Sequence, residues 1–353
     1  MSEPHPTGPI FDGHNDALTA PHHGFLREGG HGGHLDLPRM CEGGVRGGIF
    51  AVFTASREPQ AGVGSPTAGT ATTAQVRAHA PARRVGQPRA AASATAAAGR
   101  LLALEREGAV RVARSIADVD AARDGGPPVA VLHLEGAEAI DAELESLETW
   151  YAAGLRSLGP VWSRSNAFGH GVPFVFPSSP DTGPGLTRAG RALVRRCREL
   201  GVMVDLSHMN EAGFWDVARL DEGPLVVSHT GAHAIAPCSR NLTDAQLDAV
   251  GASGGLVGVV FSCSFLRPDF AADPADTPLE LIVEHVRHIA ERIGTQHVAF
   301  GSDFDGTTIP AALGDVAGYP RLIAALVDAG FSPLEISAIS WENWRRVLAA
   351  WWR

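Results

Sequence analysis

The chain has 353 residues, 44% of them hydrophobic and 19% charged, which is ample material for a large core. Its formal net charge is −10 and it carries no basic run, which argues against nucleic-acid or anionic-membrane partners. No apolar run approaches the ~20 residues of a membrane span, and the opening MSEPHPTGP lacks the basic-then-apolar pattern of a secretory leader. The four cysteines, Cys41, Cys197, Cys238 and Cys263, form no CxxC pair, so the expectation is reduced thiols in a cytoplasmic protein.

Eight short apolar segments, rich in β-branched residues, follow one another along the chain. Pro9–His14 (PIFDGH) and Gly48–Thr54 (GIFAVFT) come first. An Ala-, Thr-, Gly- and Pro-rich stretch then leads to a helical pattern ending in Leu101–Glu107, an insertion at about 58–108. Val129–Glu135 (VAVLHLE) and Leu155–Val161 (LRSLGPV) come next. A helix over Leu186–Leu200 stops at Gly201, and Val202–His208 (VMVDLSH) follows it. A helix over Glu211–Leu220 precedes Pro224–His229 (PLVVSH), and a helix over Thr243–Ala252 precedes Leu256–Ser262 (LVGVVFS). Pro278–Ile293 reads as a helix from its first-turn Pro to its terminal Gly294. His297–Asp303 (HVAFGSD), a helix over Tyr319–Ala329 and a helical segment over Pro333–Trp352 complete the chain.

Continuous apolar runs suit strands buried on both faces of a parallel sheet. Eight of them alternating with helices predict an α/β fold, a (β/α)8 TIM barrel formed as one domain over residues 1–353. A doubly wound sheet is the alternative, weakened by the absence of any GxGxxG or GxxxxGK[ST] after a strand.

The active site of such a barrel gathers where its strands end. Five of the eight segments end in metal-capable or acidic residues: His14-Asn15-Asp16, Glu135, His208, His229 and Asp303. His14 and Asp16, two apart, share a face of an extended chain. Imidazole with carboxylate suits zinc or a similar divalent ion. Glu135 ends an apolar strand, where an acid is costly unless paired or metal-bound. His133 reads as a packed barrel histidine, His233 as structural, and Asp305 as the cap of the turn after Asp303. Two ions sharing one water ionise it near neutral pH and polarise a carbonyl. An unligated acid, here Asp303, then shuttles the proton to the leaving amine.

The stretches FDGHNDAL, LHLEGAEAI, VDLSHMNEAGFWDV, VVSHTGAHAIAPCSRNLTDAQL and FGSDFDG resemble, in order, the membrane (renal) dipeptidases of the amidohydrolase superfamily. The resemblance implies a metal-dependent hydrolase with two Zn2+ ions and a small dipeptide substrate, in some members with a C-terminal D-residue, and family habit implies a homodimer. It implies that His14 and Asp16 bind one ion, His208 and His229 the other, and that Glu135 bridges both. Arg240, in SRNLTD, would hold the substrate's C-terminal carboxylate. One position departs. Trp162 stands where the family carries a histidine that contacts the substrate carbonyl, and His170 or Arg164 is expected to reach the same space. Two other readings stay open: hydrolysis of another small amide or N-acyl amino acid, and a non-hydrolytic binding or biosynthetic accessory protein on the same fold.

Overall fold

The structure is a computed structural model that describes residues 8–30, 32–56, 82–220 and 223–352, and the backbone of 77–78. Eight strands form its centre: β1 (Ile10–Asn15), β2 (Val45–Phe53), β3 (Val129–Glu135), β4 (Leu155–Gly159), β5 (Met203–Val204), β6 (Val226–Thr230), β7 (Leu256–Val259) and β8 (Val298–Phe300). β1 to β5 pair in parallel in that order, as do β6 to β8. The parallel bridges Asp205↔Val226 and Asn15↔Phe304 join the edges of the two groups and close the ring. This is the expected (β/α)8 barrel.

Between the strands lie α1 (Gln87–Arg106), α2 (Ile116–Arg123), α3 (Glu145–Ala153), α4 (Arg188–Leu200), α5 (Glu211–Leu220), α6 (Asp244–Ala252), α7 (Glu280–Ile293) and α8 (Tyr319–Asp328), with α9 (Asn343–Trp351) at the end. Local chemistry sets their ends. Thr187 caps α4 by accepting the Gly190 N–H, and Gly201 ends it at φ 72, a conformation that costs glycine little. Thr243 and Gln246 cap α6 reciprocally.

Several expected strands come out shorter, among them Leu256–Ser262 and His297–Asp303, which pair only over Leu256–Val259 and Val298–Phe300, and one expected helix is broken. The Val202–His208 strand keeps ladder pairing only over Met203–Val204. Beyond it the Asp205 carboxylate takes the Ser207 N–H, and His208 adopts φ 63. The segment expected as one helix over Pro333–Trp352 divides at a π-turn over Ala338–Glu342. There Trp341 and Trp344 pack on Phe11 of β1, with ring centroids 5.7 and 5.9 Å away.

The start of the predicted insertion, residues 57–76 and 79–81, lies outside the described residues. Arg77–Ala78 pairs antiparallel with Val175–Phe176, in the long loop after β4. Among the described residues no helix is long and apolar enough to cross a membrane. None of the four cysteines forms a disulfide; Cys41 is exposed and the other three are buried.

Candidate metal centre

The strand ends bring His14, Glu135, His208 and His229 to one point. Glu135 Oε1 lies 2.9 Å from His208 Nε2 and 3.6 Å from the Nε2 atoms of both His14 and His229. The His208 and His229 Nε2 atoms are 3.0 Å apart, and the rings of His14 and His229 stack at 3.8 Å. Asp16 and Asp303 adjoin this cluster: with His14 they place three ligand atoms within 4.8 Å of one another. All six side chains are buried.

The outer nitrogens explain why Nε2 faces inward. His208 Nδ1 pairs with Ser163 Oγ at 2.7 Å, and His229 Nδ1 with Ser228 Oγ at 2.8 Å. Ser228 Oγ also donates to Asp205 Oδ2 at 2.6 Å, and Asp205 Oδ1 accepts the N–H groups of Ser207 and Ser228. Asp205 falls in a ligand-like group with His14 and His229 as well, but these hydrogen bonds make it the anchor of the serines. Such partners fix tautomer and ring orientation. The sequence reading missed Asp205, Ser163 and Ser228. The signal for two of them was present: an acid inside an apolar strand and a repeated Ser-His.

Two of the site's side chains stand on strained backbone. His208 at φ 63 and Asp303 at φ 62 occupy the left-handed region that residues with a Cβ seldom adopt. Asp303 is locked there because its N–H bonds to the His14 carbonyl at 2.9 Å across the barrel closure.

Burial holds the three imidazoles neutral, well below the ordinary histidine range, with neighbouring His and Arg charges acting the same way. Burial raises Asp16 and Glu135 well above the carboxylate range, and the surrounding acids, Asp303 foremost for Asp16 and Asp16 foremost for Glu135, raise them further. Asp303 is raised to about 7 by burial, against the opposing charge of Arg240.

The donor set fits divalent ions on two counts. His14 Nε2 and Asp16 Oδ1 are buried with no hydrogen-bond partner, an expensive state for polar atoms unless something binds them. Three neutral imidazoles and crowded carboxylates also form the mixed nitrogen–oxygen set that borderline divalent ions take.

Other predicted residues fall as follows. Arg240 is buried beside the cluster. Its Nη2 donates to the His229 carbonyl at 2.9 Å, its Nε has no partner, and its guanidinium lies 5.9 Å from the Phe265 ring. His133 is a packed barrel histidine, its Nδ1 2.8 Å from Ser157 Oγ. His233 bonds the Ser178 carbonyl, and Asp305 exchanges hydrogen bonds with His34. Trp162 packs at 5.6 Å from the His208 ring, with Phe174 at 6.2 Å on the same imidazole. His170 is half-buried. Among the described residues no hydrogen bond, ion pair or ring contact joins it to the cluster.

Histidines and acids collected at the C-terminal ends of a parallel barrel's strands define a metal-dependent hydrolase of the amidohydrolase type. Residues 5–351 match the membrane dipeptidase family, Peptidase family M19, and the chain belongs to that family, the metallodipeptidases. It is similar to a Rhodobacter sphaeroides metallo peptidase whose crystal structure holds a phosphinate mimic of the dipeptide L-Ala-D-Ala. That likeness has 44% identity and TM-score 0.92, covering 98% of this chain and 100% of the other. A second solved metallo peptidase, dipeptidase AC, shows 44% identity and TM-score 0.90 over the same shares. A Klebsiella pneumoniae protein described as "Uncharacterized protein in pqqA 5'region" is 49% identical over 246 residues, 70% of this chain and 90% of its own length.

Proposed function

We propose that this chain is a binuclear, zinc-dependent dipeptidase whose substrates include dipeptides with a C-terminal D-residue. The observation that carries the reading is the convergence of three imidazole Nε2 atoms on Glu135 Oε1, with the His14–Asp16–Asp303 group adjoining it. The likeness to a peptidase liganded with an L-Ala-D-Ala mimic supports the substrate class.

In this reading His14 and Asp16 would hold one ion, His208 and His229 the other, and Glu135 would serve both. When bound, the pair supplies an activated water near neutral pH and Lewis-acid polarisation of the amide carbonyl. Arg240 binds the substrate's C-terminal carboxylate: its guanidinium is fixed by the His229 carbonyl, and its Nε is unengaged. Asp303 borders the ligands from the closing edge of the barrel and moves the proton to the leaving amine. The reading keeps the protein in the cytoplasm, where its thiols stay reduced.

The test is a dipeptide panel with L and D C-terminal residues, run alongside elemental analysis. Up to two zinc ions per chain and release of free amino acids, abolished by chelation, are expected. One ion per chain in excess zinc would refute the binuclear site. Cleavage of N-acyl amino acids in preference to every dipeptide would move the substrate to another small amide, a reading that the aromatic wall of Trp162 and Phe174 beside His208 favours.

A further inference from the structure

A carboxylate behind the candidate metal centre has no part in the roles above. Asp12 lies on β1, two residues before His14, and is fully buried. Its Oδ1 accepts the Ser302 N–H at 2.9 Å and the Tyr319 hydroxyl at 3.2 Å. Its Oδ2 accepts the Ser302 hydroxyl at 2.8 Å and the Asn15 amide at 3.4 Å. Donors alone converge on this side chain, which suits a carboxylate, since it offers only acceptors. An amide there would set a donor against a donor unless the Ser302 hydroxyl turned away. Tyr319 reaches in from outside the barrel: it opens α8, and its ring packs among Phe261, Phe300 and Phe304 at 5.8, 5.5 and 5.9 Å.

The bonds to Ser302 fix the residue before Asp303. Ser302 Oγ also lies 3.0 Å from the His14 carbonyl and accepts the Phe304 N–H at 3.1 Å, so the neighbours of Asp303 are held on both sides. The Asp303 N–H bonds to the same His14 carbonyl at 2.9 Å. Between these fixed points Asp303 sits at φ 62, a conformation that persists only where the surroundings impose it. The result places an Asp303 oxygen in one group with His14 and Asp16, their ligand atoms within 4.8 Å of one another. Strands pair through their backbones without any buried charge, and burying a carboxylate is costly. Here one is buried on the closing strand, and both of its oxygens are bonded to the residue next to Asp303.

We propose that Asp12 is a positioning residue for proton transfer: by clamping Ser302 from β1 it holds Asp303 in the orientation that serves the leaving amine. The proposal rests on the dipeptidase reading and on the role given there to Asp303. In the supported step, the water oxygen bonds to the carbonyl carbon, a water proton passes to Asp303, and the C=O electron pair moves onto oxygen. That pair then returns, the C–N bond breaks, and the amine leaves with the proton from Asp303. Asp12 touches neither substrate nor reacting atoms, and no bond to it forms or breaks. A displaced Asp303 weakens both transfers, and a misplacement of ~1 Å in a reacting group costs as much as ~10²-fold in rate.

The experiment is a double-mutant cycle in the zinc-loaded full chain: Asp12→Asn, Asp303→Asn and the two together. Ser302→Ala, alone and with Asp303→Asn, releases the same clamp by a second route. The readouts are kcat and KM on the best dipeptide, and zinc affinity by chelator competition. Asp12→Asn keeps the side-chain shape, and the Ser302 hydroxyl can turn to the His14 carbonyl, so the fold is kept while the clamp changes. Each single clamp variant is expected to lower kcat ~10–100-fold, with KM and zinc affinity within a few-fold of wild type. In the Asp303→Asn background the same changes should cost less than ~3-fold, because no proton carrier remains to be aimed and residues that act as a unit are not additive. Equal losses in both backgrounds overturn the proposal, since Asp12 then supports the fold at large. Losses that follow zinc affinity overturn it as well, since Asp12 then acts through His14. Wild-type kcat in both clamp variants overturns it directly. If Asp12→Asn does not fold, the Ser302→Ala pair decides by the same criteria. Wild-type protein that cleaves no dipeptide overturns the dipeptidase reading itself. Dipeptide cleavage that is undiminished in Asp303→Asn leaves that reading standing and overturns the proton role and this proposal together.

Discussion

Ser228 shows how one hydroxyl sets the state of a proposed metal ligand. Its single proton goes to Asp205 Oδ2 at 2.6 Å, so toward His229 Nδ1 at 2.8 Å it acts as acceptor. His229 must then carry its proton on Nδ1 and present a bare Nε2 to Glu135, the form a metal ligand needs. Ser228→Ala removes that constraint and leaves the Nδ1–H unpaired in a buried site. Zinc affinity is expected to fall ~10–100-fold, read by chelator competition at fixed pH; unchanged affinity would show that packing alone orients the ring. Asp303 makes the complementary case. Asp303→Asn keeps the side-chain shape and the N–H bond to the His14 carbonyl but removes the proposed proton carrier. Turnover should drop ~10²–10⁴-fold with zinc content retained. Loss of zinc, with normal turnover once zinc is restored, would make Asp303 a ligand instead.

Glycines in and just beyond the strands let the chain that carries Ser228 and His229 approach β7 and β8 closely. A Cβ at Gly258 in β7 would lie 1.8 Å from the Ser228 carbonyl oxygen, and one at Gly301, just after β8, would lie 1.9 Å from it. Both contacts are with backbone, which cannot rotate away. Gly301→Ala should therefore displace the chain that carries Ser228 and His229. It should cost at least ~1–3 kcal/mol and lower zinc affinity, as thermal melts and zinc titration together would show. A second lever lies on α7. His285 accepts the Ala232 N–H at Nδ1 and donates to the Leu266 carbonyl from Nε2, joining the helix to the loops after β6 and β7. Burial lowers its pKa to about 4, with His288 acting the same way against the Leu266 hydrogen bond. Between that value and the unfolded value near 6.5, the unfolded chain binds more protons. Stability therefore rises with pH through this window and is lost on acidification. Urea midpoints at pH 7 and pH 4.5 should differ less in His285→Gln than in wild type; equal differences would remove His285 from the account.

The elements also show what the sequence reveals. β3 and α5 run over the residues that periodicity predicts, and the five residues proposed as ligands were visible because the predicted apolar segments end at or beside them. α2 and α3 went unread: at eight and nine residues, with two buried apolar positions each, they give little periodic signal. Ser163 and Glu138 were hard to read, because their partners come from strands that only the fold sets side by side. Glu138 meets Arg164 across 26 residues, and Ser163 meets His208 across 45. No local pattern encodes those meetings.

For the whole molecule, closing the barrel and assembling the candidate metal centre are one event. The edge contact between β1 and β8, through Asn15↔Phe304 and the Asp303 N–H to the His14 carbonyl, places Asp303 beside Asp16. Without a cation, closure buries Asp16, Glu135 and Asp303 together, and each raises the proton affinity of another or is raised by it. Ions that bind this assembled set and not the unfolded chain stabilise the fold by mass action, by ~4 kcal/mol when free metal is a thousand times Kd. Chelation should therefore lower Tm by several degrees, and zinc should restore it. The repulsion can be separated from the binding. Glu135→Gln removes one acid from the cluster, so its metal-free form should melt above metal-free wild type, while its gain on adding zinc should shrink. Calorimetry of both proteins, with and without chelator at one protein concentration, measures all four states. Equal Tm for wild type with and without metal would mean that the barrel closes with no help from the ions. A metal-free Glu135→Gln that melts below metal-free wild type would mean that Glu135 is already satisfied as a neutral hydrogen-bonding group, and that crowding of the acids does not oppose closure.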